Sequence, residues 1–327
     1  MTAPLAIALV GSGSMGLNHA RVIAAGPRTS LAVVIDPSET AGRAVAERHG
    51  ARWAPSLDGL ASVDAAVIAA STEHHHALAL PIIAVGLPLL IEKPVCPSLA
   101  QTREVVQASR NAGTPLQCGL LERFNPAVLT AFGMIEAPCY IRSERHSPYA
   151  SRIKTGVGWD LLVHDVDLVV RAFGGHSPHS VGVQVGHFHP ESAPGAEDVV
   201  ESTLRFSGGG IASVSASRVG QRKVRSMVIQ ELNRMTEVDL LRRSVTVYRH
   251  STIQGEIDHG GYRQMSELEV PEIIGVEPLV AQLAHFVDLI DGRVDAKVER
   301  DSILPAHEVV DAVLAAAAAD LTGSRLS

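Results

Sequence analysis

Two groups of residues in this sequence have the types and spacing that proton transfer requires. Lys93 lies between Glu92 and Pro94 at the end of an apolar run, and Asp160 and His164 lie four positions apart in another. Positions i and i+4 face one side of a helix, so this carboxylate and this imidazole could act on one ligand. Histidine can serve as a base near neutral pH, and a lysine ammonium can stabilise developing negative charge. The alternatives are a Glu-Lys pair at the surface, a helix-capping aspartate and an interior histidine.

A glycine-rich turn near the start of the chain is typical of a site for a dinucleotide pyrophosphate. The apolar residues 5–10 are followed by glycines spaced G-x-G-x-x-G, which would bring phosphates to the amides at a helix start. Asp36 follows the next apolar run, roughly 20 residues later, where a carboxylate is expected to bind the adenosine ribose. The same carboxylate would repel a 2′-phosphate, so we expect NAD rather than NADP; the alternative role is a turn or helix cap. The expected cofactor contacts of the turn are Gly11, Ser12, Gly13, Ser14, Met15 and Gly16.

Short apolar runs alternate with helix-like segments through the first part of the chain. Strand candidates lie at 5–10, 31–35, 65–70, 89–91 and 115–118, and helix candidates lie at 17–25, 40–49, 74–85 and 98–112. This alternation predicts an α/β domain with a doubly wound parallel sheet over residues 1–120, binding its ligand beyond the carboxyl ends of the strands. Ser71, Thr72 and the histidines at 74–76 follow one of these strands. Because adjacent positions on a helix point in different directions, we expect a cofactor contact there and no metal site.

From residue 121 onwards the pattern changes to segments of alternating polarity. Strand candidates lie at 139–146, 180–187, 199–206, 211–217, 224–231, 236–241 and 244–248, and helices are expected at 277–290 and 301–321. Short connections between the strands predict an α+β domain over residues 121–327 with a large, mostly antiparallel sheet. One face of such a sheet could serve a substrate or another subunit of a homodimer or homotetramer. A basic cluster in this region is either a diphosphate site or a solvated turn, and it consists of Arg218, Arg222, Lys223 and Arg225.

The composition argues against several classes of partner. A net charge of -7 and an aromatic content of 4% do not suit a nucleic-acid surface. The three cysteines lack the spacing of a zinc site or a disulfide framework, which favours a reducing cytoplasm. The first residues lack the basic start of a signal peptide, and the longest apolar run, 77–91, is shorter than a membrane span and contains proline and glycine. We therefore expect a soluble cytoplasmic protein that binds neither nucleic acid nor membrane.

Five short motifs and the single residue Asp36 occur in order between residues 11 and 167. They are G-S-G-S-M-G, Asp36, S-T-E-H-H-H, E-K-P-V, G-L-L-E-R-F-N-P and D-L-L-V-H-D-V-D. Together they resemble the Gfo/Idh/MocA family of NAD(P)-dependent oxidoreductases. The resemblance implies an N-terminal Rossmann domain, a C-terminal α+β domain and hydride transfer to or from a nicotinamide.

The resemblance also implies roles for individual residues. It assigns Lys93 to the catalytic centre, with a cis peptide bond between Lys93 and Pro94, and directs His164 towards the nicotinamide. His164 would take the proton of a substrate hydroxyl, Lys93 would stabilise charge on the same oxygen, and Asp160 would orient a neighbour. Further cofactor contacts are expected at Ser71, Thr72, His75, Glu92 and Lys93.

The substrate implied by the resemblance is a sugar-like molecule. The segments that contain Arg123 and Asn125, and Asp160 and His164, resemble those of the branch that acts on nucleotide-linked amino sugars such as UDP-N-acetylglucosamine. We expect all four residues to bind substrate. Free sugars and inositols are alternatives. Two other functions stay open: redox-neutral glycoside cleavage with retained NAD, and non-catalytic sensing of NAD(H). The intact E-K-P and Asp-x-x-x-His motifs argue against the sensing function, and retained cofactor without net NADH would indicate the glycoside cleavage.

Overall fold

The computed structural model of the chain describes residues 3–151, 153–254 and 262–323. The chain divides into two compact units: unit 1 is Met1–Leu121 with Glu277–His307, and unit 2 is Glu122–Val276 with Glu308–Ser327. The predicted boundary after residue 120 lies next to the division between Leu121 and Glu122. The predicted second domain, 121–327, differs from unit 2 because residues 277–307 pack with unit 1.

The secondary structure of the described residues alternates between strand and helix in the first third and is mostly strand thereafter. The strands are β1 (Leu5–Val10), β2 (Thr29–Ile35), β3 (Arg52–Ala54), β4 (Ala65–Ile68), β5 (Leu89–Glu92), β6 (Leu116–Gly119), β7 (Tyr140–His146), β8 (Ser180–Gly186), β9 (Val199–Arg205), β10 (Ile211–Ser217), β11 (Val224–Gln230), β12 (Met235–Asp239), β13 (Ser244–Gln254) and β14 (Tyr262–Glu269). The helices are α1 (Ser14–Ala25), α2 (Glu39–Arg48), α3 (His75–Ala84), α4 (Leu99–Ala112), α5 (Pro126–Phe132), α6 (Val163–Ala172), α7 (Pro278–Ile290), α8 (Ala296–Asp301) and α9 (Leu304–Gly323).

Unit 1 is built on a parallel sheet of six strands in the order β3-β2-β1-β4-β5-β6. Its central strands are apolar and buried on both faces, and Ile7, Leu9 and Leu90 are each 0% exposed. The predicted doubly wound parallel sheet is confirmed. The strand order reverses between β1 and β4, which is where sheets of this kind bind their ligands. Strand β3 was not predicted, because it has three residues and only its last is buried.

Helix α7 explains why the segment 277–307 belongs to unit 1. Leu283 and Phe286 of α7 lie in the same buried cluster as Ile23 of α1. Arg28, which follows α1, donates a hydrogen bond of 2.7 Å from Nη1 to Oδ1 of Asp288. Apolar burial and this ion pair therefore hold the later segment against the first helix of the chain.

Unit 2 is built on an eight-stranded sheet in the order β14-β13-β12-β11-β7-β10-β9-β8. Neighbouring strands are antiparallel except for β7 and β10, which are parallel. The predicted large, mostly antiparallel sheet is confirmed. Helix α6 packs on one face of it, where the Asp165 carboxylate accepts a hydrogen bond of 2.6 Å from the Ser143 hydroxyl.

One helical stretch among the described residues, Ala296–Ala319, is long and apolar enough to cross a membrane by length and composition alone. A core helix of a soluble protein passes the same test. The stretch therefore does not by itself establish a membrane span.

Candidate active site

The glycine turn between β1 and α1 has the geometry of a pyrophosphate cradle. Gly11 has a φ of +99°, and a Cβ atom there would lie 2.6 Å from the backbone nitrogen of Ala70, so only glycine allows this approach of β1 to the end of β4. A Cβ at Gly16 would collide with the carbonyl oxygen of Gly11. Gly13 differs, because a Cβ there would meet no atom within 4 Å. The open side of the turn is thus at Gly13, which is also the N-cap residue of α1 and leaves the first helical amides to an anion.

The Asp36 carboxylate is held in place beside this turn. Its Oδ2 accepts hydrogen bonds from the Ser12 amide at 2.8 Å and the Ser12 hydroxyl at 2.6 Å. Its Oδ1 accepts one from the amide of Ser38, the N-cap residue of α2, at 2.8 Å. Asp36 is half-buried, so it bonds to the turn while part of its surface faces solvent. The two roles considered for this residue, a turn-stabilising acceptor and a ribose ligand, are therefore compatible.

Glu92, the last residue of β5, forms a buried pair with a histidine that the sequence did not single out as functional. Nε2 of His19, on α1, lies 2.7 Å from Oε1 of Glu92, and the two residues are 2% and 8% exposed. A Cβ at Gly119 on the neighbouring strand would lie 2.9 Å from Oε2 of Glu92, so this glycine makes room for the carboxylate. The visible signal for His19 was its position on the inward face of the first helix, three residues after the last glycine of the turn.

Lys93 is half-buried in a short loop that two histidines hold by its backbone. The peptide bond between Lys93 and Pro94 is cis, which confirms the prediction. Nδ1 of His75 lies 3.0 Å from the carbonyl oxygen of Pro94, and the amide of Val95 donates to Nε2 of His307 at 3.3 Å. These contacts fix the backbone on the carboxyl side of Lys93.

His75 also joins this loop to the end of β4. Its Nε2 lies 3.0 Å from the carbonyl oxygen of Ala70. Burial lowers the pKa of His75, although its backbone hydrogen bonds oppose the shift. The imidazole is therefore mainly neutral at pH 7, and a neutral ring can donate to only one of its two carbonyl partners at a time.

The three consecutive histidines point in different directions, as the sequence predicted. His74 is exposed, His75 is buried, and Nε2 of His76 lies 2.8 Å from Oε2 of Glu104. The neighbouring Ser71 is exposed, and Thr72 is half-buried at the start of the 3₁₀ turn Thr72–His74. In the part of the chain that the structure describes, no group of three or more histidine, cysteine, aspartate or glutamate side chains could hold a metal ion.

In unit 2, Asp160 and His164 lie half-buried on consecutive turns of one helical segment. Asp160 belongs to a π-helical turn, Gly158–Leu162, that leads directly into α6. The Glu197 carboxylate accepts a hydrogen bond of 2.7 Å from the Gly158 amide and so holds the start of this turn. Single π-turns are rare and frequently occur at functional sites.

Arg123 and Asn125 are buried and anchored to other protein groups. Arg123 donates from Nε and Nη2 to the two carboxylate oxygens of Asp167, at 2.8 Å and 2.6 Å. Asn125 donates to Glu122 at 3.0 Å and to the carbonyl oxygen of Leu240 at 3.1 Å. Both residues therefore stabilise unit 2, and their contact with substrate stays a prediction.

The basic cluster does not form a single patch. Arg218 is buried, donates to the carbonyl oxygen of Thr155 and lies 3.8 Å from a carboxylate oxygen of Asp198. Arg222 and Lys223 are exposed on the turn before β11. The fourth member, Arg225, lies beside Glu122 instead, so two of the four residues have carboxylate partners of their own and the other two lie on an exposed turn.

Comparison with known proteins places this architecture in a family. Residues 5–120 match the model described as "Oxidoreductase family, NAD-binding Rossmann fold", and residues 136–231 match the one described as "GFO/IDH/MocA C-terminal domain". The chain belongs to the Gfo/Idh/MocA family. The predictions of an oxidoreductase with an NAD-binding Rossmann domain are thereby confirmed, while the roles of individual residues stay predictions.

Relatives within the family are dehydrogenases by name. UDP-N-acetylglucosamine 3-dehydrogenase of Acidithiobacillus ferrooxidans is 29% identical over 290 residues, which are 86% of this chain and 87% of that one. A solved structure of that enzyme superposes with a TM-score of 0.82 at 26% identity, covering 97% of this chain and 99% of the other. Inositol 2-dehydrogenase 2 of Saccharopolyspora erythraea is 33% identical over 180 residues, about half of either chain at 50% and 52%.

Proposed function

We propose that this family member is an NAD-dependent dehydrogenase that oxidises a secondary hydroxyl of a sugar nucleotide, with sugars or cyclitols of similar shape as the wider substrate class. The observation that carries the proposal is the match of 86% of the chain to a UDP-N-acetylglucosamine 3-dehydrogenase. The inositol 2-dehydrogenases match only about half of the chain, so they support the wider class of cyclic polyols.

The residues of unit 1 fit NAD as the cofactor. The open side of the turn at Gly13 leaves room for a pyrophosphate. The N-terminus of α1, which has no side-chain cap, provides backbone amides for it. The Asp36 carboxylate, oriented by Ser12 and Ser38, would bind the ribose hydroxyls and repel a 2′-phosphate. NAD, when bound, supplies the acceptor for the hydride.

The proposed chemistry assigns one task to each polar group. His164 takes the proton from the substrate hydroxyl while the hydride leaves the same carbon, because an imidazole has a pKa near the working pH. The Lys93 ammonium donates a hydrogen bond to the reacting oxygen and stabilises its developing negative charge. Asp160 accepts a hydrogen bond from a neighbouring group and so orients it.

We also propose that the enzyme works in the cytoplasm as a homodimer or homotetramer. Free thiols at Cys96, Cys118 and Cys139 suit a reducing compartment. The exposed apolar side chains of Leu268 and Val270, at the end of β14, suit a contact between subunits.

The experiment that tests the proposal follows NADH absorbance after the purified protein and NAD are mixed with UDP-N-acetylglucosamine, other UDP-sugars, free hexoses and myo-inositol. We expect NADH to form with UDP-N-acetylglucosamine or a related UDP-sugar, and more slowly or not at all with NADP in place of NAD. Failure of every member of the panel, with NADH binding intact, would contradict the proposal.

A further inference from the structure

Arg225 occupies an unusual position on the sheet of unit 2. It is the second residue of β11 and lies directly opposite Arg145 of β7 in the antiparallel pairing of these strands. Directly opposed residues project from the same face of a sheet. Arg145 donates to Asp165 of α6, so Arg225 also lies on the face that carries α6 and the adjoining turn with Asp160.

The two arginines differ in how well they are paired. Arg145 is buried and bonds through Nε to Asp165 at 2.5 Å and through Nη1 to Glu122 at 3.0 Å. The nearest carboxylate oxygen to Arg225 is that of the same Glu122, 3.5 Å from its Nη1. Among the described residues, the guanidinium of Arg225 makes no hydrogen bond, and its side chain is 38% exposed.

The location is electrostatically costly for a second cation. Burial lowers the pKa of Arg225, and the Arg145 guanidinium lowers it further, while the carboxylates of Glu122, Asp165 and Asp160 oppose the shift. A side chain that served only to neutralise Glu122 would be redundant, because Arg145 already bonds to that carboxylate. The donors of Arg225 are thus available beside the helical turn that carries Asp160.

We propose that Arg225 is a substrate-binding residue that donates hydrogen bonds to neutral oxygens of the substrate ring, either hydroxyl or carbonyl. This inference rests on the proposed dehydrogenase function and deepens it. It also assigns to one member of the basic cluster a ligand other than the diphosphate considered from the sequence.

The local charges favour a neutral ring oxygen over a phosphate. Arg145 and Arg225 are balanced by Glu122 and Asp165, and Asp160 adds a further negative charge, so the surroundings carry no excess positive charge. A phosphate would meet carboxylates here. A hydroxyl, in contrast, can accept from the guanidinium and donate to a carboxylate at the same time.

The test compares Arg225→Gln with Arg222→Gln, which removes the same charge from the exposed turn three residues earlier. Steady-state oxidation is measured with NAD and two probes, UDP-N-acetylglucosamine and myo-inositol, and calorimetry measures binding of each probe to the NADH-loaded enzyme. UDP alone is included as a phosphate probe. Arg225→Lys keeps the charge without the planar fork, and thermal unfolding checks that every variant is folded.

We expect Arg225→Gln to raise KM for the oxidised probe and weaken its binding by roughly 10-fold or more, with kcat changed much less, because a charge-assisted hydrogen bond made in the ground state is lost. Arg225→Lys should recover part of the affinity, and Arg222→Gln should match the wild type. UDP should bind equally to the wild type and Arg225→Gln.

Two results would overturn the inference. The first applies to a probe that the wild type oxidises or binds. It is a folded Arg225→Gln enzyme that keeps the wild-type KM and affinity for this probe. The other is a loss of UDP affinity in that variant, since it would mean that Arg225 binds phosphate. Wild-type enzyme that binds a probe without oxidising it would contradict the proposed function alone, and binding of neither probe would contradict both.

Discussion

The residues proposed for chemistry are each next to a buried, anchored residue. Lys93 follows Glu92, which pairs with His19 at 2.7 Å, and His164 precedes Asp165, which is 0% exposed and bonds to Arg145. Lys93 and His164 themselves are half-buried. This alternation fixes the backbone close to each reactive side chain while leaving the side chain accessible, which is the arrangement that a preorganised site requires.

Replacement of the two reactive side chains should separate chemistry from cofactor binding. We expect Lys93→Ala and His164→Ala each to lower kcat by roughly 10²-fold to 10⁴-fold, because each removes a group that we propose to act on the reacting oxygen. NADH affinity, measured by fluorescence titration, should change little. Lys154→Ala, at an exposed position before the π-helical turn, is the control and should retain wild-type turnover. A variant at Lys93 or His164 with undiminished kcat would remove that residue from the mechanism.

Cofactor preference should depend on Asp36. We expect Asp36→Ala to lower the ratio of kcat/KM for NAD to that for NADP by roughly 10-fold or more, because a carboxylate near a 2′-phosphate is repulsive. Glu39→Gln removes a negative charge from the nearby start of α2, where Glu39 pairs with Arg43, and should leave the ratio unchanged. If Asp36→Ala kept the wild-type ratio, Asp36 would have only its turn-stabilising role.

At this scale, sequence motifs predicted which residues could react but not which residues hold them. Asp36 follows from its spacing after the glycine turn, and the roles proposed for Lys93 and His164 follow from the family resemblance. The pairing of His19 with Glu92, and of Arg123 with Asp167, depends on contacts between distant segments, which no local pattern encodes. Arg123 was predicted as a substrate ligand from the family resemblance of its segment, and the structure shows that Asp167 is its bidentate partner, which the sequence could not assign.

The glycine turn as an element should respond differently at two of its glycines. We expect Gly16→Ala to lower the free energy of unfolding by roughly 1–3 kcal/mol, because its Cβ would collide with the Gly11 carbonyl oxygen. The free energy of unfolding of Gly13→Ala should lie within about 1 kcal/mol of the wild-type value. It should nevertheless weaken NADH binding, because its methyl group would occupy the open side of the turn. Urea unfolding and fluorescence titration measure the two effects, and unaltered NADH affinity in Gly13→Ala would place the pyrophosphate elsewhere.

The contacts of His75, which connect the end of β4 to the loop after β5, should make the stability of the protein depend on pH. Burial lowers the pKa of His75 from its ordinary value of 6.5, so the unfolded chain takes up this proton at a higher pH than the folded protein does. The contribution of neutral His75 to the free energy of unfolding is present above pH 6.5 and is lost as the pH falls below that value.

Urea unfolding between about pH 5 and pH 8 measures this dependence. We expect His75→Gln to flatten the fall in unfolding free energy on the acidic side, and His74→Gln, at the exposed neighbouring position, to keep the wild-type slope. A wild-type slope in His75→Gln would show that the folded protein binds this proton as readily as the unfolded chain.

Elements with a buried apolar face were predictable, and short or exposed ones were not. Strand β10 was predicted at its observed bounds, 211–217, because its residues alternate and are mostly buried. Strand β14 was missed because its apolar residues Met265 and Leu268 are three positions apart, so the segment lacks the alternation of polarity that indicates a strand. The predicted helix at 301–321 corresponds to α9, which begins three residues later, at Leu304, because the preceding helix α8 ends at Asp301.

At the scale of the whole chain, the presence of two sheets and their succession along the chain were predictable. Which segments belong to each unit was not predictable. The change from helix-strand alternation to strand meanders marks the boundary near residue 120, close to the division after Leu121. The return of residues 277–307 to unit 1 depends on the apolar face of α7 matching a cluster formed by the first part of the chain. Such complementarity between distant surfaces leaves no signature in local sequence.

The measurement that tests the central claim most directly follows a hydride from substrate to cofactor. The enzyme and NAD are mixed with UDP-N-acetylglucosamine that carries deuterium on C3 and C4, the ring carbons with free hydroxyl groups, and NADH and the sugar product are analysed by mass spectrometry. The account predicts deuterium in the NADH, with one NADH formed for each keto sugar. Cleavage of the glycosidic bond with no net NADH, or recovery of all the deuterium in unreacted substrate despite bound NAD, would contradict it.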